Sequence, residues 1–310
     1  MPAALIIVNP AARAGRPGHS LVNSAATGLR RRGWQVEIQL TQHAGHATEL
    51  AATSTADLVV AAGGDGTVNE VVSGLLRHAQ GVPALAVLPS GTGNDVARLL
   101  GVHPPDAALA ALNGEHVVAW DVLSIDCIHA GVPVHRHALL FAGAGFVGEV
   151  IRHTTPRTKA WFGSSLSYAV GFFRALIRYR STHLQINGPN VAHDGPLLTA
   201  LAANAPHAGG GGMRLGPGAR MDDGHFNVSL IRSVGRGEIA RQFLRLTCGT
   251  HIHHPAVNYF PARWLEVKSR EPVAVVADGE VIGMTPARFE LRPRAIQIYR
   301  SPHVTGSGGL

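Results

Sequence analysis

At 310 residues the chain is long for a single hydrophobic core, which predicts two domains. Its 45% hydrophobic and 15% charged content excludes a disordered polymer, and no apolar run is long enough to span a bilayer. The formal charge of +7 is almost all arginine, Lys159 and Lys268 being the lysines. Such a charge fits nucleic acid, an anionic membrane surface or arginine-favouring codons, and no helix-turn-helix, zinc-finger or RNP pattern supports nucleic acid as the partner.

In chain order, residues 5–8 read as a buried strand and 19–32 as a helix stopped by Gly33. Residues 34–40 alternate apolar and polar, as a half-exposed strand does, and 47–55 read as a short helix. An apolar strand at 58–62 leads into Gly63-Gly64-Asp65-Gly66-Thr67. The following helix, from Thr67, carries one apolar stripe of Val68, Val71, Val72, Leu75 and Leu76. A second strand, 84–88, leads into Ser90-Gly91-Thr92-Gly93-Asn94-Asp95 and a helix over 95–100. Repeated βα units predict a parallel sheet, with ligands bound beyond the carboxyl ends of its strands.

Past Asp121 short strand-like runs dominate, at 121–128, 137–143, 183–187, 197–203, 225–231, 264–268, 273–277 and 287–291. Helices are predicted over 164–179 and 238–246, and 301–310 as a frayed tail. The pattern predicts a mainly antiparallel β domain. Cys127 and Cys248 have no metal-type spacing and suggest a reducing, cytoplasmic setting. Residues 1–8 lack the length and basic lead of a signal peptide.

The two glycine turns carry the chemistry. A glycine turn at a helix start offers unpaired amides and a positive dipole end to phosphate. Each turn also holds an aspartate, which suits phosphate only with a divalent cation between them. No lysine lies near either turn, so neither is a P-loop, and neither turn carries a G-x-G-x-x-G fingerprint. Asp278-Gly279 follows a strand, where it is either a hairpin turn or a carboxylate projected into a cleft.

Residues 63–76 and 89–101 resemble the diacylglycerol kinase catalytic domain, shared by bacterial lipid kinases and the sphingosine and ceramide kinases. The likeness extends to Asn9-Pro10 with Gly15, to Leu112-Asn113-Gly114 with Trp120-Asp121, and to Asn204. It continues through Gly209 to Met213, Pro217 to Gly224, and Asp278-Gly279-Glu280.

This resemblance implies an N-terminal Rossmann-like α/β domain over 1–121, and the final strand-like run, 295–299, reads as returning to it within 291–310. It implies a β-rich, sandwich-like lipid domain over 122–290, with the active site in the cleft between the two. It also implies an ATP-dependent lipid kinase. Asn9, Gly64, Asp65, Gly66, Thr67, Thr92, Asn94 and Asp95 would bind the nucleotide. Asp65, Asp95 and Asp121 would hold Mg²⁺ through water, Asp278 would be the general base, and Glu280 would support the metal network. A structural Mg²⁺ would take the Asp223 carboxylate and the carbonyls of Arg220 and His225. A homodimer is a further expectation of the resemblance.

Two alternatives stand beside this reading. One is an NAD kinase-like enzyme, although no Thr-Gly-Ser-Thr-Ala-Tyr-type segment is present. The other is a non-catalytic lipid- or nucleotide-binding regulator. Residues 152–180 interleave Arg152, Arg157, Lys159, Arg174, Arg178 and Arg180 with Trp161, Phe162, Tyr168, Phe172, Phe173 and Tyr179. That mixture suits peripheral docking on the inner membrane surface, or a core helix with a solvated basic face. His251, His253 and His254 form the one dense histidine group and are a minor candidate for a transition metal.

Overall fold

The computed structural model describes residues 1–12, 17–78, 81–114, 116–154, 156–178 and 180–302, without the side chains of 17–19 and 156–166. Gly15, Tyr179, residues 303–310 and the side chains of Arg157, Lys159, Trp161 and Phe162 lie outside the described residues. The chain forms two compact units, Met1–Trp120 with Arg294–Leu310, and Asp121–Pro293.

In the first unit, strands and helices alternate as β1 (Ala3–Val8), α1 (Pro17–Arg31), β2 (Gln35–Leu40), α2 (His46–Ala52), β3 (Leu58–Gly63), α3 (Asp65–Leu75) and β4 (Ala84–Pro89). The short α4 (Asp95–Leu99) and α5 (Pro105–Asn113) follow. All strand pairings are parallel, in the order β2-β1-β3-β4. β3 reads Leu-Val-Val-Ala-Ala-Gly and is buried along its whole length, as a parallel strand covered on both faces must be. β2, at the sheet's end, has no buried residue: Val36 and Gln39 are half-buried, and Ile38 and Leu40 are exposed in spite of the alternating sequence.

The second unit begins within β5 (Val117–His129) and continues through β6 (Val132–Ala138), β7 (Phe141–Gly145), α6 (Phe146–Arg152) and α7 (Pro156–Ile177). Then come β8 (Thr182–Gly188), β9 (Val191–Ala203), β10 (Phe226–Arg232) and α8 (Arg236–Cys248). After a 3₁₀ turn at Thr250–His253 the chain forms β11 (Val257–Ala262), β12 (Trp264–Ser269), β13 (Ala274–Ala277) and β14 (Glu280–Tyr299). The pairings β9-β7-β13-β14-β12-β8-β9 close on themselves and are antiparallel throughout, which removes open edges from the ring. Phe226 and Phe289 are fully buried in its core. α6, α7 and α8 contribute a second apolar cluster built on Phe146, Phe172, Leu176 and Ile239.

The structure corrects several expected elements. The run 137–143 is not one strand, because β6 ends at Ala138 and β7 starts at Phe141. There the amides of Leu139, Leu140 and Phe141 turn to the Asp278 carboxylate. β6, β11 and α6 were not anticipated, and α7 begins earlier, with proline in its first turn. The runs 287–291 and 295–299 belong to one strand, β14, whose Ile298 pairs parallel with Leu85 of β4. Ser301 is buried and its amide donates to Leu100 O at 2.9 Å, so the chain is not frayed there.

Candidate active site

In the first unit three strand ends bring the predicted nucleotide residues together. Asn9, just after β1, donates from Nδ2 to Thr67 Oγ1 of α3 at 3.0 Å. Gly64 caps α3, and Gly91 packs against it backbone to backbone. A Cβ on Gly91 would lie 2.6 Å from the Gly64 Cα, so no side chain fits. Asn94 adopts the left-handed conformation (φ 52°) and closes the second turn by bonding both the N–H and the C=O of Gly91. Thr92 is exposed at the tip. A Cβ on Gly66 would meet nothing within 4 Å, so the first turn of α3 is open on that side.

The two aspartates are close enough to sense each other. Asp65 Oδ1 accepts the Val96 amide at 3.0 Å, so Asp65 serves as an acceptor at the start of α4. Burial first and the Asp95 charge second hold its carboxyl above the usual carboxylate range, against the opposing pull of the amides of Val96, Asp95 and Asn94. Asp95 is buried and Asp65 half-buried, and two neighbouring carboxylates are a hard-oxygen donor set that a divalent cation would relieve, so these residues fit Mg²⁺.

In the second unit, Asp278 and Gly279 form a two-residue turn between β13 and β14, both with positive φ (43° and 85°). The hairpin is therefore real, and the Asp278 carboxylate turns to the amides at the start of β7. Oδ2 accepts the Leu139 amide at 2.7 Å, and Oδ1 accepts those of Leu140 and Phe141 at 2.8 and 3.0 Å. Asn204, fully buried, donates from Nδ2 to the carbonyls of Leu139 and Asp121. Asp121 is also fully buried, and its Oδ2 accepts the Gly224 amide at 2.7 Å. One hydrogen-bonded path thus runs from Asp278 through Asn204 to Asp121 and the 221–224 turn. Sequence reading noticed Asn204 as part of a likeness but gave it no role in the site. Glu280 is exposed.

Asp223 is exposed, and its Oδ1 accepts the His225 amide at 3.0 Å, while Arg220 donates from Nε to Asp222. The histidine group does not converge. His254 pairs with Glu238, His253 is exposed, and His251 is buried. Among the described residues, the grouping of three metal-type side chains close enough to share an ion is instead His43, His46 and Glu49.

An apolar cavity of about 130 Å³ lies inside the second unit, lined among others by Phe146, Phe172, Leu198 and Met213. Two more lining residues place Asp278 beside it. Phe141 gives its amide to Asp278, and the Tyr168 hydroxyl sits where a Cβ on Gly279 would be only 2.7 Å away. His251 also lines the cavity, and burial pushes its imidazole down from 6.5 to about 4. Folded protein thus holds this ring neutral where the unfolded chain would charge it. Stability is therefore expected to fall as pH drops from 6.5 towards 4, by up to about 3 kcal/mol from this group. Denaturant melts of the native protein and His251→Leu across that range check this, since the variant should lack that part of the slope.

Comparison with known proteins agrees with this architecture. Residues 3–125 match the family model of the diacylglycerol kinase catalytic domain. Residues 142–300 match that of the YegS C-terminal NAD kinase beta sandwich-like domain. A diacylglycerol kinase of Staphylococcus haemolyticus is 30% identical over 276 residues, covering 87% of this chain and 80% of its own length. One from Bacillus subtilis is 30% identical over 275 residues, covering 88% and 86%. A diacylglycerol kinase structure from Bacillus anthracis shares the fold with a TM-score of 0.71 at 23% identity, over 98% of both chains. A yeast NADH kinase structure shares it more distantly, with a TM-score of 0.50 at 13% identity over 96% of this chain and 82% of its own. By descent as well as by architecture, the chain belongs to the diacylglycerol kinase family.

Proposed function

We propose that this protein transfers the γ-phosphate of ATP to the hydroxyl of a neutral lipid such as diacylglycerol. The observation that carries the reading is the apolar cavity beside Asp278. A cavity walled by phenylalanine, leucine and methionine suits an acyl chain, whose burial is favourable by roughly 0.8 kcal/mol per methylene. The same walls argue against a dinucleotide acceptor.

In this reading the lipid hydroxyl attacks the γ-phosphorus, the bond to the ADP oxygen breaks, and the hydroxyl proton passes to Asp278. The amides from residues 139–141 orient that carboxylate. Gly64, Gly66 and the start of α3 cradle phosphate, with Asn9, Thr67, Thr92 and Asn94 beside them. Mg²⁺, held largely through water by Asp65, Asp95 and Asp121, would neutralise phosphate charge, with Glu280 in support. A second Mg²⁺ at Asp223 and the carbonyls of Arg220 and His225 would be structural. Incubating the protein with γ-labelled ATP, Mg²⁺ and a total lipid extract tests the reading. Label in a chloroform-soluble product is expected, and label confined to water-soluble products overturns it.

We further propose that the enzyme works as a peripheral protein at the cytoplasmic membrane surface. No described helix is long and apolar enough to cross a membrane. On α7, Phe172, Ala175 and Leu176 are buried, while Phe173 (47% exposed) and Ile177 (72%) face outward with Arg174 and Arg178. Leu244 of α8 is 69% exposed, and the Phe173 and Phe243 rings meet at 5.6 Å. Exposed apolar side chains flanked by arginines suit an anionic interface. Arg174→Glu with Arg178→Glu is expected to weaken co-sedimentation with phosphatidylglycerol vesicles roughly 30-fold, at about 1 kcal/mol per basic residue. Unchanged sedimentation would remove this face as the docking surface.

A further inference from the structure

We infer that the cavity receives a lipid chain bearing a hydroxyl part-way along its length, and that His251 and Gln242 recognise that hydroxyl. This rests on the proposed function, in which the cavity seats the acceptor lipid. His251 is 3% exposed, and among the described residues neither ring nitrogen has a hydrogen-bonding partner. Gln242 also lines the cavity. Its Nε2 is committed to Glu238, while its Oε1 is buried with no partner. Two other polar lining residues are satisfied. Thr199 donates to the Ala144 carbonyl, and His254 sits between Glu238 and the Ala256 amide.

Native interiors seldom leave polar groups unpaired, and each such group has a cause. A charged ligand is excluded by the apolar walls. A neutral imidazole offers one donor and one acceptor, and the Gln242 oxygen adds another acceptor. A plain hydrocarbon chain satisfies none of these. An ester carbonyl accepts from the imidazole N–H but leaves both acceptors empty. A hydroxyl both accepts and donates, so it answers the donor and one of the acceptors together. Residues 242 and 251 are therefore read as a specificity device and not as packing. A buried water is the competing occupant, since it too donates and accepts.

The test uses the whole protein without nucleotide, displacing a fluorescent lipid probe with monostearoylglycerol or with its mid-chain-hydroxylated analogues. At least one hydroxylated analogue is expected to bind about 10-fold more tightly, the worth of one to two buried hydrogen bonds. His251→Leu should bind the plain chain as before and lose the preference, and His251→Asn should keep part of it. Without ligand, His251→Leu should melt no lower than the native protein at neutral pH, since it removes an unpaired polar group. Should that variant fail to fold, Gln242→Leu takes its place and must lose the preference. Equal binding of plain and hydroxylated chains overturns the inference alone and leaves water as the occupant. A preference that survives His251→Leu also overturns it. If neither lipid binds, the cavity as the acceptor's seat falls too. Absence of phosphate transfer would sink the kinase reading without touching this measurement.

Discussion

Asp278→Asn is expected to lower phosphate transfer about 10³-fold while leaving nucleotide affinity near its native value. The carboxylate is the proposed proton acceptor, and it lies beside the apolar cavity through Phe141 and Tyr168. A structural effect accompanies the chemical one. Asparagine keeps one oxygen for the Leu140 and Phe141 amides but turns its amino group towards the Leu139 N–H, donor against donor. The loss in stability should be about 1–3 kcal/mol. Single-turnover labelling and thermal melts, measured together, separate the two. If correcting for the folded fraction restores the rate, Asp278 is a clasp on the start of β7 and not a base.

Asn204→Ala should be the most damaging change away from the reacting groups. The side chain is fully buried and its Nδ2 serves two carbonyls, those of Asp121 and Leu139. Truncation removes both bonds and leaves a cavity, at a cost of about 3 kcal/mol. It should also slacken the placement of Asp121 and of residues 139–140 relative to Asp278. The expected result is a lower melting temperature and a reduced kcat at saturating lipid, even well below the melt. A variant that melts early but turns over normally at low temperature would confine Asn204 to stability.

The first half of the fold was legible because its signals are local. Val68, Val71 and Leu75 share one helix face, β3 is uniformly apolar, and the glycine turns fall where strand gives way to helix. The second half depends on distant partners. Nothing between residues 137 and 143 announces that Asp278 will take their amides. β14 was read in pieces because Pro286 and Pro293 look like strand breaks. α6 is a short helix of Phe-Val-Gly-Glu-Val-Ile-Arg, in which valines and isoleucine speak for strand. The site divides in the same way. Motif order pointed to Asp65, Asp95 and Asp278, whereas the cavity with His251 is assembled from three α-helices, a 3₁₀ turn, several strands and loop residues far apart in sequence.

β14 also decides how the protein can be dissected. One uninterrupted strand of 20 residues serves the β ring with its first half and gives Ile298 to β4 near its end. A fragment stopping at Trp120 would therefore be missing a sheet neighbour, and the edge of Ala-Leu-Ala-Val-Leu-Pro would stand bare to its own kind, a template for aggregation. Sequence order and folding unit do not coincide here. Swapping the first unit between relatives would have to carry both ends of the chain together.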